Sequence, residues 1–157
     1  MKKIMFVCHG NICRSPMAEF IFLKLAADAG LSARFKVNSS ATSTEEIWRG
    51  AGSPIYPPAA RELMRHGIPY KKREATLLLP EDYSEYDMFI GMDAANIRNM
   101  HRIFGGDPDG KISRLLSHAG VERDVRDPWY SERFDEAYDD IFTGCRALFE
   151  KLINDNK

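Results

Sequence analysis

Short apolar runs alternate along this chain with stretches whose apolar residues recur at helical spacing. Residues 2–7 end in four consecutive apolar side chains, which is typical of a strand buried on both faces. Residues 35–37 and 88–90 predict two further short strands, and residues 111–115 predict a fourth. Residues 39–56 are rich in small and polar side chains and contain a glycine-proline breaker, so we predict a long loop there.

Four helices are predicted from the apolar positions that lie between and after these strands. Serine or aspartate at a helix start, proline in the first turn and glycine beyond the last turn give their ends. The helices run from Ser15-Pro16 to Gly30, from Pro57-Pro58 to Gly67, from the cap Asp93 to Phe104, and from Phe134 to Leu152.

Strands that alternate with helices predict an α/β fold, because each helix returns the chain to a parallel neighbouring strand. We expect three layers, with a four-stranded parallel sheet between helices on both faces, in a single domain over residues 1–157. In such folds ligands bind at the carboxyl ends of the strands.

Composition and charge exclude several classes of function. The net charge is −1 and 29% of the residues are charged, so the chain has no basic field that would attract nucleic acid. The apolar run near the start is too short for a secretion signal or a membrane span. Three cysteines without a leader favour free thiols in a reducing compartment. We expect a cytoplasmic monomer that binds neither nucleic acid nor membrane.

The most informative segment, residues 8–15, directly follows the first strand. A loop that leads from a strand into a helix N-terminus points its backbone N–H groups at one spot and binds anions. Gly10 can adopt a positive φ and Asn11 tolerates the left-handed region, so both would help to turn these groups inward. Cys8 opens the loop and Arg14 closes it, at the edge of the sheet where a site is expected.

A thiol and a guanidinium in one anion-binding loop predict cysteine-dependent chemistry on a phosphate ester. Arg14 would bind two phosphate oxygens through its planar pair of donors. Ser15 would donate a hydrogen bond to the Cys8 thiolate, and the sulfur would attack phosphorus to form a cysteinyl-phosphate intermediate. Because Arg14 and the amides neutralise the phosphate and the nucleophile is a side chain, we expect no metal and no other cofactor.

Residues 7–16 resemble the phosphate loop of the low-molecular-weight protein tyrosine phosphatases, and residues 37–43, 65–68, 86–96 and 124–130 resemble further segments of that family in order. The resemblance implies hydrolysis of phosphotyrosine in a protein or of a small aryl phosphate. It also implies that hydrogen bonds of Asn11, Ser39 and His66 hold the loop in its strained shape. The loop residues expected to bind substrate are His9, Gly10, Asn11, Ile12 and Cys13.

The resemblance assigns the role of general acid to Asp127. A leaving phenolate needs a proton, which a carboxyl group can supply and later recover from the attacking water. Pro128 limits the backbone of Asp127 to extended conformations. Asp107 is also followed by a proline, but its glycine neighbours indicate an exposed turn, whereas Asp127 has aromatic neighbours.

Aromatic side chains are expected to form the walls of the pocket and to hold the substrate ring between them, with Trp129, Tyr130 and Trp48 as candidates. A thiolate at the bottom of a narrow pocket reaches the phosphate on a long rigid ring but not that of phosphoserine. By resemblance, an apolar residue at Ile12 is typical of the tyrosine phosphatases, whereas threonine there is typical of the branch that acts on phosphoarginine. Trp129 and Tyr130 could also be ordinary core aromatics.

Other functions stay open at this point. Arginine phosphatases and arsenate reductases resemble this chain in fold and loop, although a reductase needs further cysteines and residues 75–100 contain none. A non-catalytic phosphotyrosine-binding module would not need Cys8, Arg14 and Asp127 together.

Several side chains also have alternative roles. Cys8 could be an inert buried thiol, or could bind zinc together with His9, Cys13 and His66. Cys13 could form a disulfide with Cys8 on oxidation or could simply pack behind the loop. His66 could interact with a helix dipole. Cys145 lies on the apolar stripe of the last helix and is expected in the core.

Overall fold

A computed structural model describes residues 1–155 as a parallel sheet of four strands, with helices on both faces and a small separate hairpin. The strands are β1 (Lys2–Cys8), β2 (Phe35–Ala41), β3 (Ile47–Trp48), β4 (Ala51–Gly52), β5 (Met88–Gly91) and β6 (Ile112–Arg114). The helices are α1 (Arg14–Asp28), α2 (Pro57–Arg65), α3 (Asp82–Glu85), α4 (Ala94–Phe104), α5 (Pro128–Ser131) and α6 (Phe134–Asn154). The sheet order is β2-β1-β5-β6, which confirms the predicted α/β fold.

β1 lies between β2 and β5, and its side chains alternate between the two helical layers. Ile4 and Phe6 belong to the core formed with α1, α2 and α6. Met5 and Val7 belong to a second core, in which Met100 of α4 is buried. Helices therefore cover both faces of β1, and this explains why its apolar residues are continuous rather than alternating.

The carboxyl end of β1 is held on both sides. Cys8 pairs with Ala41 of β2, and Val7 pairs with Gly91 of β5. Thr42 N continues the pairing by donating to Cys8 O over 3.0 Å. The loop that follows β1 therefore leaves the sheet from a rigid edge, which is where ligand sites of parallel α/β sheets lie.

The prediction of a loop over residues 39–56 was wrong in two places. β2 extends to Ala41 because its small polar residues pair with β1 as far as Cys8. β3 and β4 form an antiparallel hairpin, in which Gly52 approaches the backbone of Ala75 so closely that a Cβ there would lie 2.0 Å from the Ala75 carbonyl oxygen. The short helices α3 and α5 were not predicted either.

The start of α1 differs from the prediction, whereas its end agrees with it. The helix begins at Arg14 and has no side-chain cap, so Ser15 is not the N-cap. The Ser15 hydroxyl bonds other groups in the loop and is not available to the helix backbone. Gly30 follows the last turn with a φ of 70°, as expected for a glycine that ends a helix.

The predictions for α4 and α6 are confirmed. Asp93 caps α4 by accepting from Asn96 N over 2.8 Å, and the Asn96 side chain completes a capping box. Along α6, Gly144 packs against Leu115, and Cys145 is fully buried with its thiol 3.6 Å from Ala18 O. No helix within residues 1–155 combines the length and the apolar character needed to cross a bilayer.

Candidate active site

Cys8 is the last residue of β1, and the loop that joins β1 to α1 begins at its carboxyl side. The side chain is buried, and its sulfur lies 3.0 Å from Ser15 Oγ. The backbone N–H of Asn11 donates to the same sulfur over 3.3 Å. The Ser15 hydroxyl and the Asn11 N–H therefore converge on Cys8 Sγ, and donors at these positions would stabilise a negative charge on the sulfur.

Asn11 holds the loop together from inside. Its φ is 58°, so it occupies the left-handed region as predicted, and it is fully buried. Its Nδ2 donates to Ser15 Oγ over 2.8 Å and to Ser39 Oγ over 2.9 Å. Because Ser15 accepts from Asn11, the hydroxyl hydrogen of Ser15 is free to point at Cys8 Sγ.

Gly10 does not have the positive φ that was expected from the sequence. A different constraint acts at this position, since a Cβ on Gly10 would lie 3.3 Å from Glu46 Cγ. The glycine therefore leaves room for a neighbouring segment to pack over the loop.

The Arg14 guanidinium is almost completely buried, with 2% of its side chain exposed. Its Nη1 donates to Asp93 Oδ2 and to Val125 O, both over 2.8 Å, and its Nη2 lies 3.5 Å from Asp127 Oδ2. Burial acts to lower the pKa of Arg14, but the nearby Cys8, Asp127 and Asp93 raise it above its ordinary value. The group is thus held charged, and its buried Nε has no hydrogen-bond partner among residues 1–155.

Asp127 and its rival Asp107 have different surroundings. Asp127 lines the pocket above Cys8, and its Oδ1 accepts from Trp129 N over 3.0 Å. Asp107 lies before β6, at the opposite edge of the sheet, and accepts from Tyr83 OH over 2.7 Å and from Lys111 N over 2.8 Å. Burial acts to raise the pKa of Asp107, but these hydrogen bonds lower it. Asp107 therefore fastens a turn far from the loop.

The walls of the pocket are partly aromatic and partly acidic. Trp129 and Tyr130 line it with 52% and 83% of their surfaces exposed, so they are not core residues. Glu45 and Glu46 also line it, and Glu45 Oε2 lies 3.0 Å from His9 Nε2. Trp48 of β3 is exposed and is not among the residues that line this pocket, so its predicted contact with the substrate stays a prediction.

His66 does not support the loop, contrary to the expectation from resemblance. Its ring stacks on Tyr138 at 3.7 Å, and its Nε2 lies 3.3 Å from Glu62 Oε1. Near the end of α2, the histidine therefore joins this helix to α6.

Two charged residues that were not predicted from the sequence support the loop instead. Arg73 Nη2 donates to Asn11 Oδ1, and Glu19 Oε1 accepts from Ser39 Oγ over 2.6 Å. Glu19 could have been noticed as a single charge within the apolar start of α1. Arg73 belongs to a polar run over residues 71–74, and no local pattern distinguishes it from its neighbours.

The other two cysteines are buried, and all three are free thiols. Cys13 packs with Ile12 and Ala75, as expected for a thiol behind the loop. Burial, followed by the charges of Cys8 and Asp127, raises the pKa of Cys13. Burial likewise raises the pKa of Cys145.

The described residues offer no ready metal site. Within residues 1–155, no three His, Cys, Asp or Glu side chains come together in an arrangement that could hold a metal ion. The zinc interpretation of Cys8, His9, Cys13 and His66 therefore has no geometric support.

Comparisons with known proteins agree on one family. The sequence profile described as "Low molecular weight phosphotyrosine protein phosphatase" matches residues 3–157. The low molecular weight protein-tyrosine-phosphatase YfkJ of Bacillus subtilis is 36% identical over 154 residues, which cover 97% of this chain and 96% of that protein. The human low molecular weight phosphotyrosine protein phosphatase is 35% identical over 155 residues, which cover 96% and 95% of the two chains.

Solved structures give the same result for the fold. The crystal structure of YfkJ from Bacillus subtilis superposes with a TM-score of 0.92, at 35% identity over 100% of this chain and 98% of that one. A structure of the arginine phosphatase YwlE with a phosphorylated active-site serine superposes with a TM-score of 0.81, at 28% identity over 98% and 97% of the two chains.

Proposed function

Since the chain belongs to the low molecular weight phosphotyrosine protein phosphatase family, we propose that it hydrolyses phosphotyrosine in proteins, or a small aryl phosphate, through a cysteinyl-phosphate intermediate. The whole chain, residues 1–157, acts as a single phosphatase domain. We further propose that it acts as a monomer. Three free thiols support a reducing compartment such as the cytoplasm.

The reaction proceeds in two steps. Cys8 Sγ attacks phosphorus, the bond from phosphorus to the phenolic oxygen breaks, and the Asp127 carboxyl group gives its proton to that oxygen. A water molecule then attacks the cysteinyl phosphate while the Asp127 carboxylate takes its proton. The sulfur–phosphorus bond breaks, inorganic phosphate is released, and the Cys8 thiolate is restored.

The observation that carries this proposal is the set of donors around Cys8 Sγ. Ser15 Oγ lies 3.0 Å away and the Asn11 N–H donates over 3.3 Å, so the thiolate is stabilised before the substrate arrives. Donors that are fixed in advance need no reorganisation during the reaction.

Arg14 supplies the charge that the phosphoryl group needs. Asp93 and Val125 hold its Nη1, and its buried Nε has no partner among the described residues, so a phosphate oxygen would satisfy that donor. A positive charge fixed in a buried site stabilises developing negative charge strongly. With Arg14 and the loop amides in this role, the reaction requires no metal and no other cofactor.

The walls favour a ring over a short aliphatic chain. Trp129 and Tyr130 offer exposed aromatic surface at the mouth, and Ile12 of the phosphate loop adds an apolar side chain to the lining. An aromatic ring gains both buried area and ring contacts between such walls. Phosphotyrosine is therefore the substrate that this pocket suits best.

Hydrolysis of phosphoarginine is the second candidate function. The chain is similar to the arginine phosphatase YwlE, and Glu45 and Glu46 place carboxylates at the pocket where a guanidinium could pair with them. An arsenate reductase has less support, because it needs a second reactive thiol and Cys145 is buried in the core.

The test compares three peptides of one sequence that carry phosphotyrosine, phosphoarginine or phosphoserine. We expect the highest kcat/KM for phosphotyrosine, no turnover by Cys8→Ser, and retained turnover by the matched control Cys145→Ser. Cys8→Ser should still bind vanadate in calorimetry. Turnover by Cys8→Ser would reject Cys8 as the nucleophile, a higher kcat/KM for phosphoarginine would favour the second candidate, and inhibition by chelators would contradict the metal-free reaction.

A further inference from the structure

A chain of hydrogen bonds runs beneath the phosphate loop from Arg73 to Glu19. Arg73 Nη2 donates to Asn11 Oδ1. Asn11 Nδ2 donates to Ser39 Oγ over 2.9 Å, and Ser39 Oγ donates to Glu19 Oε1 over 2.6 Å. The chain therefore begins at a cation, ends at a carboxyl group and passes through the buried amide that shapes the loop.

The two ends set the direction of every bond in this chain. A guanidinium can only donate and an ionised carboxylate can only accept. Ser39 therefore donates to Glu19 and accepts from Asn11. At the other end, Asn11 Oδ1 faces Arg73 and also Thr76 N, which donates over 3.0 Å. The Asn11 amide thus has only one orientation that satisfies all its partners.

That orientation reaches the reactive sulfur. The second hydrogen of Asn11 Nδ2 goes to Ser15 Oγ over 2.8 Å, so Ser15 accepts there and can donate only elsewhere. Cys8 Sγ, at 3.0 Å, is the partner that remains for the Ser15 hydroxyl hydrogen. If the Asn11 amide turned over, its carbonyl oxygen would face Ser15 and draw that hydrogen away from the sulfur.

The positive charge of Arg73 also favours the thiolate of Cys8. Burial lowers the pKa of Arg73, while the nearby Glu19 and Cys8 oppose this shift, so the guanidinium lies close enough to interact with both. Burial raises the pKa of Glu19, and the hydrogen bond from Ser39 and the charge of Arg73 oppose it. Other charged or titratable side chains also surround the loop. Lys71 acts on Glu19 in the same direction as Arg73, and Asp93 pairs with Arg14. The pocket itself is lined by His9, Arg14, Glu45, Glu46 and Asp127.

We propose that Arg73 is a positioning residue for Cys8: acting through Asn11 and Ser15, with Glu19 as its counter-charge, it keeps the Ser15 hydroxyl donating to the sulfur and so favours the thiolate. The inference rests on the proposed function only in taking Cys8 as the nucleophile. Arg73 touches neither the sulfur nor the substrate, and its effect is on the state of the thiol.

The experiment uses the full chain with Arg73→Met and Arg73→Lys, and with Arg65→Met as a matched control on the exposed face of α2. The rate at which iodoacetamide alkylates Cys8 is followed against pH by mass spectrometry, together with kcat/KM for para-nitrophenyl phosphate and the melting temperature. For Arg73→Met we expect the midpoint of alkylation to rise by about one pH unit and kcat/KM, measured at a pH below both midpoints, to fall about tenfold, since one unit corresponds to a factor of ten. Arg73→Lys should recover at least half of the shift, and Arg65→Met should show none.

A purely structural role would lower the melting temperature without moving the alkylation midpoint, and that result would overturn the proposal. If Arg73→Met does not fold, Arg73→Gln replaces it, because it also removes the charge, with the same direction of shift expected and an unchanged midpoint again counting against the proposal. A wild-type protein that hydrolyses no phosphate ester would contradict the proposed function alone, because the alkylation measurement needs no turnover.

Discussion

Asp93 has two functions that can be separated by substitution. Its Oδ1 accepts from Asn96 N over 2.8 Å and caps α4, while its Oδ2 accepts from Arg14 Nη1 over 2.8 Å. Asparagine is as good an N-cap as aspartate, but its side chain has only one acceptor oxygen. In Asp93→Asn that oxygen keeps the cap, and the NH₂ group then faces Arg14 as a second donor. Asp93→Ala removes both contacts.

The magnitudes follow from the burial of the pair. Only 2% of the Arg14 side chain and 20% of the Asp93 side chain are exposed, so solvent screens this ion pair little. A hydrogen bond between charged groups contributes about 1.5–3 kcal/mol. Even the lower figure corresponds to about a tenfold loss in kcat/KM, because 1.4 kcal/mol is a factor of ten. Losing the cap costs about 1 kcal/mol of stability in addition.

We therefore expect Asp93→Asn and Asp93→Ala to lower kcat/KM for an aryl phosphate by similar factors of about ten or more. Urea unfolding should find Asp93→Ala about 1 kcal/mol less stable than Asp93→Asn. The exposed Asp28, which pairs with Lys24 over 2.8 Å, provides the matched control Asp28→Asn, which should change neither quantity appreciably. Wild-type kcat/KM in Asp93→Asn would refute the role of Asp93 in holding Arg14, and equal stability of the two variants would refute the role of the cap.

Three further predictions concern the general acid, the half-buried His118 and the packing of α6. Asp127→Ala should lower kcat for an aryl phosphate about 100-fold in steady-state kinetics. Asp107→Ala should lower only the melting temperature. A larger loss of kcat in Asp107→Ala than in Asp127→Ala would assign the general acid to Asp107. Burial and then the charge of Lys151 lower the pKa of His118 from 6.5 to about 4. The unfolded chain therefore binds a proton that the folded one does not, and the free energy of unfolding should fall as the pH drops from 6.5 to about 4. In His118→Gln the free energy of unfolding, measured by urea titration, should depend less on pH over this range. A pH dependence as steep as that of the wild type would show that His118 is not its cause. Gly144→Ala should destabilise by about 1–3 kcal/mol, because the new Cβ would lie 2.5 Å from Leu115 Cγ; unchanged stability would mean that α6 can move away at no cost.

The features that could be predicted from the sequence are those with short-range causes. The continuous apolar run of β1 indicates a strand covered on both faces, and the apolar stripe of α6 indicates a helix packed on one face. The α/β fold therefore follows from the periodicity of apolar residues. The cap of α4 depends on two residues three positions apart, Asp93 and Asn96. Cys8 and Arg14 lie at the two ends of one short loop, whose N–H groups converge because a helix begins there.

The features that only the tertiary structure decided join residues that are distant along the chain. Arg73 reaches Asn11 from 62 positions away, and Glu19 reaches Ser39 from 20, so no local pattern distinguished Arg73 from its charged neighbours or excluded His66. Trp48 is an aromatic residue of the kind that forms pocket walls, but it lies on a hairpin and is not among the residues that line the pocket. Short-range patterns determine which elements form, because backbone hydrogen bonding and burial repeat along the chain. Which side chains meet at a site depends on how those elements pack, and that is decided by the shape of the whole core.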